Sequence, residues 1–465
     1  MRKIHLSFFL TLAFSVASLG QNRPVAAQNA RAVPDSLNRS IVYQVWMRSF
    51  TPEGTLAATA SHLPYIADLG ATIVYLSPLN VHGYPSVFGP STPYEIKDYD
   101  VIDPEYGSET DLKSLVAEAH KLGLKVIMDI VYAHSANDNV LLNRPGFYRR
   151  TPDGKLIMSR WKTPMPDFTN PQVHEYFRNN MLHWIRDVAV DGFRADVAGG
   201  VPLAFWDEAR EAMDTVNPNV IMLAEADAPE QQLKAFDISY NFPYYSALTA
   251  VVVNGESAER IQQQWEKAKA AFPRGARFLH LNDNHDRNRV DVVMGEKAAI
   301  ATTVLNFTLD GIPFLYNGQE IGDTTAPQQQ SHVPIRWDIW KPEGQRRTST
   351  AGRESARLRV YKQIIQMRRE EAALTSGELM WIKNSNPDGV VSFVQKKGSE
   401  EILVLINLTN RLTKLQVDAP ASDYAQARDL LKNRPLPASL FPDKFNCQLG
   451  AFDYTVAKRV AAKTP

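Results

Sequence analysis

From about Arg39 onward, short apolar runs alternate with stretches of helical period. Eight runs read as strands: 41–46, 72–77, 125–130, 190–195, 220–224, 236–240, 277–282 and 311–316. The sixth carries the weakest pattern. Runs that are apolar on both faces suit parallel strands covered by helices. Between them, Leu56, Ala60, Leu63 and Ala67 keep a helical spacing that stops at Gly70. Ser108 to Asp111 offers a cap for Leu112, Leu115, Val116, Ala119 and Leu122, with Gly123 as the stop. Asn170-Pro171 is a cap and first turn for Val173, Phe177, Trp184 and Val188. Further helices are expected over 205–216, 258–270, 297–308 and 358–369. Eight strand-then-helix units predict an α/β chain of the (β/α)8 TIM barrel type, built from 41–134 and 168–372.

Two segments break the repeat. Ser135 to Pro166 follows the third strand and holds Pro145, Pro152-Asp153-Gly154, Pro164 and Pro166. It reads as an irregular insertion, 135–167, at that strand's C-terminal end, and loops this long are often functional. Past Leu374 the pattern turns to short strands at 379–382, 390–395, 402–408 and 413–417, with a hairpin turn at Asn386-Pro387-Asp388-Gly389. A C-terminal β-sandwich over 373–465 is expected.

The first residues read as a secretory signal. Arg2 and Lys3 lead an apolar stretch from Leu6 to Leu19, with cleavage after Gly20 or alternatively after Ala27. The mature chain is then secreted or periplasmic. No cysteine lies nearby to take a lipid, and no later stretch is apolar enough to span a bilayer, so no membrane anchor is expected. Cys447 is the only cysteine, which rules out an intramolecular disulfide and leaves stability to the core. Lys+Arg and Asp+Glu balance at 51 each, giving no basic bias toward nucleic acid.

Barrels of this type carry their chemistry at the C-terminal ends of the strands. Four strands end in polar clusters there: Asp129 to His134, Arg194-Ala195-Asp196, Glu225-Ala226-Asp227 and Asn284-His285-Asp286. Arg194 and Asp196 are two apart in a strand, so they point to one face and the cation keeps the carboxylate ionised. A purely structural ion pair at a strand end fits those two residues equally well.

Taken together, these clusters resemble the four ordered sequence regions of the α-amylase family of retaining glycoside hydrolases. Met165-Pro166-Asp167-Phe168 is similar to that family's short region near the end of its inserted domain, and Tyr94 to Tyr99 to its aromatic segment after the second strand. The resemblance implies Asp196 as nucleophile and Glu225 as general acid/base. Glu225 follows the apolar run Ile221-Met222-Leu223-Ala224, and nearby carboxylates are expected to raise it to about 6. It implies Asp286 as the third carboxylate, which stabilises an oxocarbenium-like state. His134 and His285 would bond the sugar, Tyr94 would stack on it, and Arg194 completes the substrate-binding set. Asp167 either binds metal or shapes the inserted loop. Trp161, Trp206 and Trp337 are read as core.

Some positions depart from the family. Ala133 stands where an Asn commonly ligates calcium, and Gly199-Gly200 stand where starch-degrading members carry Lys-His. Those replacements argue against calcium at its usual place, and the two glycines are expected to make the cleft roomier. No organic cofactor and no metal is required by the chemistry. His332 stands where oligosaccharide-cleaving members carry an Arg in an otherwise similar segment. The expected substrate is an α-glucan or malto-oligosaccharide. Transfer of the glycosyl group to another sugar is the rival outcome on the same intermediate, and a non-catalytic sugar- or protein-binding barrel is the rival of another class.

Overall fold

The computed structural model describes residues 23–84, 92–325, 332–337, 355–419, 424, 427–436 and 445–459. The expected signal segment, 1–20, lies outside them. Residues 25–27, at the alternative cleavage point, form a 3-10 turn.

All eight expected strands form, and all eight close into one parallel barrel. In chain order they are Val42–Val45, Ile73–Leu76, Lys125–Ile130, Gly192–Ala195, Ile221–Ala224, Ile238–Tyr240, Phe278–His280 and Ile312–Tyr316. The first pairs with the second, Val42 opposite Ile73, and also with the eighth, Val42 opposite Phe314. Gly192 is required at its place: a Cβ there would stand 2.0 Å from the Ile221 carbonyl oxygen of the next strand.

The helices follow from local chemistry. Ser108 and Asp111 form a reciprocal capping box at the start of Glu109–Lys121. Asn170 accepts from the Gln172 N–H at 3.0 Å and opens Pro171–Arg186. Gly70 ends Leu56–Leu69 in the left-handed conformation.

The fifth repeat differs from expectation. Its strand is followed by a 3-10 helix, Pro229–Leu233, instead of an α-helix. After the sixth strand stands a helix the periodicity did not predict, Phe242–Asn254. A second excursion also appears after strand two, where Asn80–His82 pairs antiparallel with Ile96–Ile102.

The segment after strand three is irregular, knit by turn hydrogen bonds and by isolated bridges such as Tyr148 to Pro166 and Met158 to Pro164. Beyond the barrel, Glu378–Trp381, Val390–Lys397 and Glu400–Asn407 belong to a six-stranded sheet, while Thr413–Val417 pairs with Phe445–Leu449 in a second, two-stranded sheet. Among the described residues, no helix is long and apolar enough to cross a membrane.

Candidate active site

The floor of the site is a charge cluster inside the barrel mouth. Asp129, on strand three, and Arg194, on strand four, have no exposed surface. Arg194 Nη1 donates to Asp129 Oδ1 at 2.9 Å and to Asp196 Oδ1 at 2.8 Å. Its Nη2 lies 3.1 Å from Glu225 Oε1. One guanidinium thus meets carboxylates from the ends of strands three, four and five. The expected Arg194–Asp196 face is present, and it carries more than a strand-end ion pair. Arg194 itself lies beneath the carboxylates and lines no part of the cavity, so it holds them rather than a sugar.

Above this floor opens a cavity of about 820 Å³. Asp196, Glu225 and Asp286 all line it, together with His134 and Tyr94. His134 Nε2 stands 3.6 Å from Asp196 Oδ2. Asp286 is held at the rim by a turn in which its N–H donates to Asn284 Oδ1 at 3.0 Å. His285 sits behind the wall: its Nε2 shares a hydrogen bond with the Tyr94 hydroxyl at 2.6 Å and lies 3.2 Å from Asp286 Oδ2. Tyr94 stacks on His285 and Trp46, and its hydroxyl donates to Asp129 Oδ2 at 2.8 Å. Tyr94 and His285 are therefore locked to the charged floor.

The two central carboxyls are driven apart. Burial raises Asp196, but the contact with His134 and the charge of Arg194 outweigh it and hold the group below the ordinary Asp value. Glu225 is raised to about 7, first by burial, with Arg194 opposing and the Asp196 charge adding. Burial is thus the leading cause, ahead of the neighbouring carboxylates invoked from the sequence. Asp129 is raised to about 6, again first by burial. A carboxylate kept ionised beside a carboxyl kept protonated is the division of roles that paired acid–base chemistry needs.

Trp161 corrects the sequence reading that placed it in the core. It is 37% exposed, lines the cavity, and its ring centroid lies 5.0 Å from that of His134. It stands at a hairpin tip in the inserted loop, where Ser159 N–H donates to Thr163 O at 2.8 Å and Lys162 takes a positive φ of 58°. Arg160, stacked on Trp161 at 4.1 Å, lines the cavity beside it. Trp206 is buried in the core as expected, and Trp337 packs on Phe50 and Tyr65 away from this cavity. The sequence also left Asp129 without a role. Its signal was a charge in the middle of an apolar strand, which is costly unless paired.

Asp167 shapes the loop: its Oδ1 accepts from the Thr169 N–H at 3.1 Å and from the Thr169 hydroxyl at 2.7 Å. Where the resemblance implied calcium, a Cβ at Gly200 would stand 3.1 Å from the Ala133 methyl. Ala133 brings no side-chain oxygen to that place, while Gly200 keeps a backbone carbonyl of the kind a hard cation accepts. Among the described residues, His82, Asp103 and Glu105 could converge on an ion. Arg48 already serves that cluster, at 2.9 Å from both His82 Nε2 and Glu105 Oε1.

Fold and site define a class: a (β/α)8 barrel with a paired-carboxylate site at its C-terminal rim. The family description "Alpha amylase, catalytic domain" matches residues 29–145 and 156–357, and the chain belongs to the α-amylase family. The gap between those stretches falls inside the inserted loop. A cyclomaltodextrinase of Geobacillus thermopakistaniensis is 27% identical over 395 residues, which cover 79% of this chain and 64% of that protein. Neopullulanase 2 of Thermoactinomyces vulgaris is 28% identical over 397 residues, covering 79% and 65%. The chain thus spans slightly less than two thirds of the length of these relatives. Among solved structures, a maltogenic α-amylase of Thermotoga neapolitana superposes with a TM-score of 0.79 at 25% identity, over 92% of this chain and 100% of that one. An α-amylase of Lactobacillus plantarum gives 0.75 at 26%, over 92% and 100%.

Proposed function

We propose that the chain hydrolyses α-glucosidic bonds in malto-oligosaccharides or related α-glucans with retention of configuration. One observation carries the reading: Arg194 grips Asp196 and Glu225 by its two ends while the site drives their proton affinities in opposite directions. Asp196 attacks the anomeric carbon as Glu225 gives its proton to the leaving oxygen, and a β-glycosyl ester forms on Asp196. Glu225, now ionised, takes a proton from water, which opens the ester and restores both groups. Asp286, at the cavity rim, stabilises positive charge developing on the ring. His134 bonds the sugar over Asp196. Tyr94 supports the same subsite from the side, with His285 fixed behind it. The relatives named for cyclomaltodextrin, pullulan and maltogenic action support an α-glucan as the substrate class. Export of the chain, through residues 1–20, belongs to the same proposal.

The test is turnover of maltotriose, maltoheptaose and a cyclodextrin by the full chain. Glu225→Gln is expected to lower kcat by at least about 10²-fold on these sugars. Proton NMR is expected to show the α-anomer as the first product; the β-anomer first would exclude the two-step route. Products longer than the substrate would move the reading to glycosyl transfer.

A further inference from the structure

We propose that Val197 is a positioning residue: its backbone N–H holds the Glu225 carboxyl in place, and its left-handed turn keeps that N–H aimed there. The inference rests on the function proposed above and deepens it.

Val197 directly follows Asp196 and has φ 42° and ψ 50°. The left-handed region is costly for an ordinary residue, and a branched Cβ makes it a genuine outlier. Among the described residues the other non-glycine positions with positive φ are Lys162, Ala189, Asn433 and Phe452. None of these is β-branched, and none adjoins a rim cluster.

Such a conformation persists only when its surroundings impose it. Upstream, the Asp196 N–H is tied to Ile130 O at 2.9 Å. Downstream, the Gly200 N–H closes on Val197 O at 2.7 Å, and the Trp206 indole donates to Ala198 O at 3.0 Å. Room for the turn comes from Gly200, since a Cβ there would lie 3.3 Å from Val197 Cγ1 and 3.1 Å from the Ala133 methyl. The two departures from the family pattern, at 133 and 200, thus meet around the Val197 side chain.

What the turn secures is a donor. The Val197 N–H donates to Glu225 Oε2 at 2.8 Å, while Arg194 Nη2 faces Oε1. The direction of that N–H is set by the peptide plane before it. The left-handed step lets the chain keep this plane and still double back to close the turn at Gly200. The N–H makes the hydrogen bond to Oε2, and the Arg194 cation lies against Oε1 as an ion pair, so the two together fix the carboxyl. Each oxygen retains a second lone pair, on which the transferable proton sits. A neutral N–H also favours the ionised form, in opposition to burial.

The experiment replaces the Val197 amide with an ester by incorporating 2-hydroxy-3-methylbutanoic acid at this position of the full chain. Side chain and turn are retained; the N–H is lost, and the Asp196 carbonyl becomes a weaker acceptor. The expected result is a fall of about tenfold in kcat/KM on maltotriose, with the alkaline limb of its pH profile moved upward. On α-maltosyl fluoride, whose leaving group departs with little proton transfer, kcat/KM is expected within about twofold of the wild type. Equal losses on both substrates, or an unmoved rate and alkaline limb on maltotriose, would overturn the proposal. A wild-type chain that turns over neither sugar would instead defeat the proposed function, and this inference with it.

Discussion

Burial works against ionisation at Glu225, and that sets both its chemistry and its cost. In the unfolded chain the group titrates near its ordinary value of 4.5; in the folded chain it does so near 7. Its proton affinity is raised by folding, so its contribution to stability is fully present below about pH 4.5 and is lost as pH rises through 7. Replacing Glu225 by Gln removes the penalty. We predict that Glu225→Gln melts with the wild type at pH 4 and clearly above it at pH 8, by thermal denaturation followed at both pH values. Equal melting temperatures at pH 8 would show that the group pays no desolvation cost. Activity should follow the pair. Asp196 must be ionised and is held below the ordinary Asp value, while Glu225 must be protonated. The profile of kcat/KM on maltotriose is therefore expected to be a bell, with its acid limb below the ordinary Asp value and its alkaline limb near 7. Both limbs belong to the pair as a unit. A single-limbed profile would contradict the assignment of roles.

At the scale of elements, the inserted loop brings one ring to the site. Trp161 is fixed by the hairpin tip: its own N–H donates to Ser159 Oγ at 3.1 Å, and Asn137 donates to Lys162 O at 3.3 Å. An exposed indole on the wall of a sugar-sized cavity contributes stacking worth about 0.5–1.5 kcal/mol. Trp161→Ala is expected to raise KM for maltotriose by about two- to tenfold, with a smaller change in kcat. An unchanged KM in steady-state kinetics would remove the ring from substrate binding. The same loop shows where the sequence was readable and where it was not. The eight barrel strands were legible because most of their positions are apolar on both faces, least clearly in the sixth. The caps at Ser108 and Asn170 were legible because capping is local. Helix 242–254 was missed because its apolar residues run around its whole circumference, which leaves no stripe to detect; Asn241, Pro243 and Gly255 were its only signals. Asp196, Glu225, Asp286 and His134 were legible through their place at strand ends. Trp161, Asp129 and the inward turn of His285 were not, because each depends on a partner distant in the chain.

Across the whole molecule, the C-terminal sheet shares its core with the barrel. In strands 390–397 and 400–407 the side chains alternate between two faces. Val391, Phe393, Ile402, Val404 and Ile406 join the same buried cluster as the barrel residues. Val390, Val394, Leu403 and Leu405 face the two-stranded sheet, against Leu415, Val417 and Phe445. Polar groups cross the junction as well: Gln395 Nε2 donates to Thr308 O at 3.1 Å, satisfying a carbonyl at the end of helix 296–308. Five large side chains buried at about 2 kcal/mol each amount to roughly 10 kcal/mol, as much as the whole stability of a typical domain. A chain ending at Gly377 would expose that face of the barrel and leave the Thr308 carbonyl without its partner. We predict one cooperative transition for the full chain in scanning calorimetry and none for the shortened one, which should aggregate. Two separated transitions in the full chain, or a sharp one in the shortened chain, would mean that the barrel stands alone and that the sheet contributes nothing to the rigidity of the carboxylates.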